Sequence, residues 1–101
     1  MAAKHALSII AAAGGVAACA SMPPPHQQIG AARAMVAQAL PVAARDAPAE
    51  LGTAQAKLAR AEAAMKREDY VNARIYAEQA EVDAKYAWTL ALRRELERRP
   101  R

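Results

Sequence analysis

Residues 69–92 read DYVNARIYAEQAEVDAKYAWTLAL, and alanine recurs along them at 73, 77, 80, 84, 87 and 91. Steps of four and three put all six methyl groups on one face of an α-helix. A second helix must cover that face, because a stripe of methyl groups left in water gains nothing from folding. Short side chains let two backbones approach to or below the usual interaxial distance of about 8–10 Å.

Working backwards, Leu51, Ala54, Leu58, Ala61 and Met65 keep the same spacing in the preceding segment. Lys66 and Arg67 suit the negative end of that helix, and Asp69 suits the N-cap of the next. A tight turn near residue 69 then fixes an antiparallel register. Met65 faces Ala73, Ala61 faces Ala77, Leu58 faces Ala80, Ala54 faces Ala84 and Leu51 faces Ala87. The same register predicts two flanking ion pairs, Lys57 with Asp83 and Glu62 with Arg74. Exposed pairs of this kind are each worth only about 0.2–1 kcal/mol, so they select register more than they stabilise.

Further upstream, Ile29, Ala32, Val36, Ala39 and Ala43 predict an amphipathic helix from Gln27 that Pro41 ends or kinks, since proline lacks the donor and crowds the preceding turn. Asp46-Ala47-Pro48 then reads as the entrance to the next helix. The expected fold is all-α: an Ala-rich antiparallel hairpin with a preceding third helix, a small three-helix bundle, and an N-terminal segment outside it. No stretch alternates with period two.

The last helix carries a second apolar stripe, Val71, Ile75, Val82 and Tyr86, almost opposite the alanines on a 100° wheel. Two covers are open. The first helix folds back onto this face, or the face docks a second copy or another protein. Trp88 and Tyr76 flank the alanine seam, where they anchor the hairpin.

With 101 residues the chain holds one domain at most. Its formal charge of +4 is unevenly spread. Between Cys19 and Leu92 basic and acidic residues balance, and the excess lies at the ends: Lys4 at the start, and Arg93, Arg94, Arg98, Arg99 and Arg101 against Glu95 and Glu97. No aromatic residues are interleaved with these arginines to stack bases, which speaks against a nucleic-acid partner. The five arginines form an expected tail, 93–101, able to meet phosphate groups of anionic lipid or lipopolysaccharide.

At the other end, Lys4 gives a positive n-region, and Ala6 to Ala13 with Leu7, Ile9 and Ile10 an apolar core too short to span a bilayer. Val16-Ala17-Ala18-Cys19 follows. That tetrapeptide resembles the lipobox of bacterial lipoproteins, which implies a signal peptide over 1–18 and acylation of Cys19, palmitate included, as the anchored first residue. The competing reading is an ordinary secretory signal with Cys19 as a free thiol, or a buried core cysteine. Ala20 and Ser21 stand where inner-membrane lipoproteins commonly carry Asp, so the resemblance implies the outer membrane, with the body facing the periplasm. Residues 19–26, with Pro23, Pro24 and Pro25, form the expected tether, extended by its prolines. Residues 27–92 form the expected helical domain.

Ala47-Pro48, Asp69-Tyr70 and the alanine ladder resemble the bacterial domain-of-unknown-function family 4398, whose members combine a lipobox, a short tether and alanine-rich helices. Some relatives carry a peptidoglycan-binding domain after this module, and nothing here matches it. The decapeptide from Glu68 to Ala77 is also similar to the turn of a tetratricopeptide repeat, but no copy recurs at about 34 residues.

Catalysis finds little to work with. Of the two histidines His5 falls in the expected signal segment and His26 in the tether, there is no Gly-rich phosphate loop, and Glu78, Glu81 and Asp83 read as a solvated charge face. The sequence therefore predicts no enzyme, no cofactor, no metal and no small-molecule substrate. The expected function is that of a structural or protein-interaction lipoprotein, with an envelope protein or a second copy as partner.

Overall fold

The computed structural model describes residues 22–100. The expected signal segment 1–18, the expected lipidation residue Cys19 and Arg101 lie outside the described residues. Three helices follow one another: α1 His26–Asp46, α2 Pro48–Lys66 and α3 Tyr70–Arg98. They form the expected all-α bundle, α2 running antiparallel to the other two.

The alanine ladder lies at the centre. Ala73, Ala77, Ala80, Ala84, Ala87 and Ala91 are all fully buried. They sort into two clusters. At one end Ile29 and Ala32 of α1 and Ala61 and Ala64 of α2 pack with Ala73, Ala77 and Ala80, with Leu58 and Met65 at the margin. At the other end Val36, Ala39 and Ala43 of α1 and Leu51 and Ala54 of α2 pack with Ala84 and Ala87. Both helices thus share one seam. Leu58 and Met65, expected at its centre, are only half-buried, and Ala64 is fully buried instead.

The first helix does not cover the second stripe of α3. Val71, Ile75, Val82 and Tyr86 stay 44–66% exposed. The reason lies in the connection. Ala47 alone separates α1 from α2, and one residue spans at most about 3.6 Å, far less than a helix diameter of about 10 Å. Helix α1 must therefore lie beside α2, on the same side of α3. Ala47 closes both helices at once. Its N–H donates to the Ala43 carbonyl at 2.9 Å, and its own carbonyl accepts from Leu51 N–H at 3.0 Å.

Pro41 neither ends nor breaks α1, which runs on to Asp46 with Pro41 inside it. The proline ring is exposed, so the carbonyl that loses its donor faces solvent rather than core. Nor does Asp46 cap α2: it is the last residue of α1, and the N-cap Ala47 receives no side-chain bond. His26, expected in the tether, already begins α1.

The α2–α3 turn is a Schellman closure. Asp69 N–H donates to the Ala64 carbonyl at 2.9 Å and Glu68 N–H to the Met65 carbonyl at 3.0 Å. Glu68 takes φ 60°, a left-handed position that glycine usually fills. Asp69 caps α3 as expected, accepting from Asn72 N–H at 3.4 Å and from the Asn72 side-chain amide at 2.8 Å. These bonds favour its charged form and hold its carboxyl below the usual value.

Candidate functional site: the outer face of α3 and its basic end

Of the two expected ion pairs one forms. Lys57 Nζ lies 2.6 Å from Asp83 Oδ2. Glu62 instead meets Arg33 of α1 at 3.4 Å, and Arg74 turns along its own helix to Glu78 at 2.8 Å. The arrival of α1 beside α2 supplies Glu62 with a nearer cation.

The five arginines expected as a tail largely belong to the helical body. Helix α3 continues to Arg98, past the expected domain limit at residue 92. Ladder steps of four and three lead from Ala91 to positions 94 and 98, so Arg94 and Arg98 occupy the next places on the seam and face the other helices. Arg94 Nη1 donates to the Asp46 backbone carbonyl at 2.8 Å. Arg98 donates through both Nη atoms to the Asp46 carboxylate, Nη2 to Oδ2 at 3.3 Å. Arg45 adds a donor from the adjacent position, Nη2 to Oδ2 at 3.2 Å.

Asp46 is the one buried charged side chain among the described residues, 8% exposed as a residue. The Arg98 hydrogen bonds, and then those of Arg45, outweigh its desolvation and hold its carboxyl below the ordinary value, while Arg98 is held more firmly protonated. Farther out, Arg99 pairs with Glu95 at 3.1 Å and Arg93 with Glu97 at 3.9 Å. Four of the five arginines expected to meet external anions thus have an acidic or carbonyl partner inside the chain, and Arg101 is outside the described residues. Sequence reasoning missed Asp46 as their partner, although the ladder positions of Arg94 and Arg98 carried the signal.

The outer face of α3 has no cover among the described residues. Ile75 and Val82 border a shallow hollow of about 320 Å³ that Lys57, Glu78, Gln79 and Asp83 complete. Tyr86 lies at the edge of a smaller one with Glu50, Thr53 and Asp83. Tyr76, by contrast, packs against the core, and the Arg60 guanidinium stands 5.9 Å from its ring centre. Trp88 packs against the other cluster. Both aromatics thus stand on the inner side of the hairpin, as expected.

Among the described residues no group of three or more His, Cys, Asp or Glu is placed to hold a metal ion, and no helix is long and apolar enough to cross a membrane. The fold and this face define a small alanine-seamed helical bundle with one apolar surface left open. Residues 27–101 match the family described as a domain of unknown function, DUF4398, and the chain belongs to that family. No curated protein and no solved structure matches the chain.

Proposed function

We propose that this chain is a non-catalytic protein-interaction module, carried at the periplasmic face of the bacterial outer membrane by lipid on Cys19, and that it docks its partner on the outer face of α3. The observation that carries the reading is the position of Val71, Ile75, Val82 and Tyr86. They are exposed on a helix whose opposite face is closed by both other helices. An apolar row at helical spacing, rimmed by Lys57, Glu78 and Asp83, has the apolar centre and polar rim of a protein contact. The lipobox-like Val16-Ala17-Ala18-Cys19 supports the anchor, and the ion-paired carboxylates support a role without catalysis.

Two measurements test it. Labelled palmitate should enter the wild-type chain and not Cys19→Ser. Ile75→Lys and Val82→Lys should keep wild-type helicity and lose a complex captured by photo-crosslinking from the same positions. Variants that merely unfold, with no folded form that has lost a complex, would show the face to be internal and end the docking reading.

A further inference from the structure

The start of α1 and the α2–α3 turn share one end of the bundle. Residues 22–28 lie beside Arg74, near the first turns of α3. His26 borders a hollow of about 300 Å³ with Ile29 and Arg33 of α1 and Glu62, Met65 and Lys66 of α2. The prolines are tied to this end as well. Pro25 is buried, His26 N–H donates to the Pro24 carbonyl at 2.9 Å, and Ile29 N–H donates to the Pro25 carbonyl at 3.1 Å.

Only three residue steps then separate Met22 from Cys19, and they span at most about 11 Å. A chain held by lipid on Cys19 therefore keeps this end of the bundle close to the headgroups.

We infer that this end is a second membrane contact, in which Lys66, Arg67 and the hollow beside His26 seat on the phosphate groups of phospholipid headgroups. The inference rests on the anchor at Cys19 proposed above and asks nothing of the outer face of α3.

Charge supports the seat. Lys66 and Arg67 are exposed, and neither has an ion-pair partner within 4 Å among the described residues. The acids nearby are mostly engaged: Glu62 with Arg33, Glu78 with Arg74, and Asp69 with Asn72. Glu68 is left as the one carboxylate of the turn without a side-chain partner. Met22 adds an exposed apolar side chain on the anchored side.

Distance separates this end from the other. Helix α1 has 21 residues, so the corner at Asp46 lies about 30 Å away along its axis. Surface charge is screened within about 8 Å at physiological ionic strength, and the arginines at the far corner are engaged with Asp46, Glu95 and Glu97. Seated on its anchored end, the bundle raises the outer face of α3 from the membrane, with Val71 lowest and Tyr86 about 22 Å higher. The contact sets orientation, since the lipid already supplies the anchoring.

The full acylated chain in bilayer discs of phosphatidylethanolamine and phosphatidylglycerol tests the seat, with a spin label on some of the headgroups. Acylation is read first by mass, and paramagnetic broadening of backbone amide signals is read second. His26 and residues 66–68 should lose most of their signal, while Ala47 and Arg94 keep theirs. Lys66→Gln combined with Arg67→Gln should retain helicity and acyl mass and recover the signals at 26 and 66–68, as should wild type at high salt. Equal broadening in wild type and the double variant would show that the tether alone holds this end near the lipid, and overturns the contact. Broadening along Ile75, Val82 and Tyr86 would show a bundle lying flat, and overturns it as well. Acylated chain with no broadening overturns the seat and leaves the anchor standing, whereas a chain without acyl mass overturns both.

Discussion

Arg98 and Asp46 lie 52 positions apart in the chain and meet as a two-pronged ion pair, Nη2 to Oδ2 at 3.3 Å. The pair fastens the last turn of α3 to the corner where α1 becomes α2. The carboxylate is 4% exposed and the guanidinium 52%, so removing the arginine leaves a nearly buried carboxylate with only the Arg45 side chain donating to it.

Arg98→Ala should therefore lower the melting temperature by roughly 4–8 °C, the shift that loss of one good interaction produces in a domain of this size. Arg93→Ala, which removes only an exposed contact along the same helix at 3.9 Å, should leave it nearly unchanged. Asp46→Asn combined with Arg98→Ala should cost less than the two separately, because they break one interaction. Thermal denaturation of wild type, the three single variants and the double variant, followed by circular dichroism, gives the comparison.

The same carboxylate fixes a pH dependence. In the folded chain Asp46 binds its proton below the ordinary value of 3.8. Its contribution is present above that value, where folded and unfolded chains both hold the charged form. It is lost as pH falls through 3.8 and on through the depressed folded value, where the unfolded chain takes up the proton first. Asp69, depressed by its bonds to Asn72, acts in the same direction. Melting temperatures measured from pH 7 to pH 2.5 should fall steeply below about pH 4 for the wild type. The gap between wild type and Asp46→Asn should narrow over that interval, and a constant gap would contradict the assignment.

At the α2–α3 turn, Glu68 holds φ 60°, where a β-carbon crowds the following carbonyl at a cost of about 1–2 kcal/mol. Glycine avoids that cost and loses about 0.5–1 kcal/mol to the greater freedom of the unfolded chain. Glu68→Gly should therefore stabilise the protein by roughly 0.5 kcal/mol, read as a higher urea midpoint at unchanged slope. Arg67, with φ −86°, should lose stability on the same change.

The seam limits side-chain size. Ala80 and Ala84 are fully buried between α1, α2 and α3, and a larger side chain there must push two helices away at once. Ala80→Leu should cost about 1–3 kcal/mol or more. At Ala63, exposed on the outer side of α2, the same substitution should fall within about 0.5 kcal/mol of neutral. Chemical denaturation of the two variants separates packing from helix propensity, since alanine and leucine are both good helix formers.

How far the sequence reached differs from one residue to the next. The alanine ladder was legible because its period is that of one helix face, and Lys57 with Asp83 confirmed the register of the hairpin it implied. The side of α3 that α1 would choose was not legible from periodicity, since α3 has an apolar row on each face. A single linking residue, Ala47, decided it by reach alone. The partner of Arg94 and Arg98 was hidden for a different reason. The ladder's signal is alanine, and a basic residue at the next seam position reads as the beginning of a tail. Asp46, two residues before Pro48, reads as a helix entrance, whereas its ion-pair partner Arg98 lies 52 positions away.

Pro41 is the remaining local exception. It lies within α1, five residues before Asp46, and leaves the Ala37 carbonyl without its helical donor. Proline in a helix interior costs about 3 kcal/mol relative to alanine, part of which solvent offsets here because the ring is exposed. Pro41→Ala should restore that hydrogen bond and stabilise the bundle by about 1–3 kcal/mol. It should also slow amide exchange around residues 40–42, since closing the gap lets the two halves of α1 open only together. A variant with unchanged stability and faster exchange would show instead that the proline sets a bend which the pairing of Asp46 with Arg98 requires.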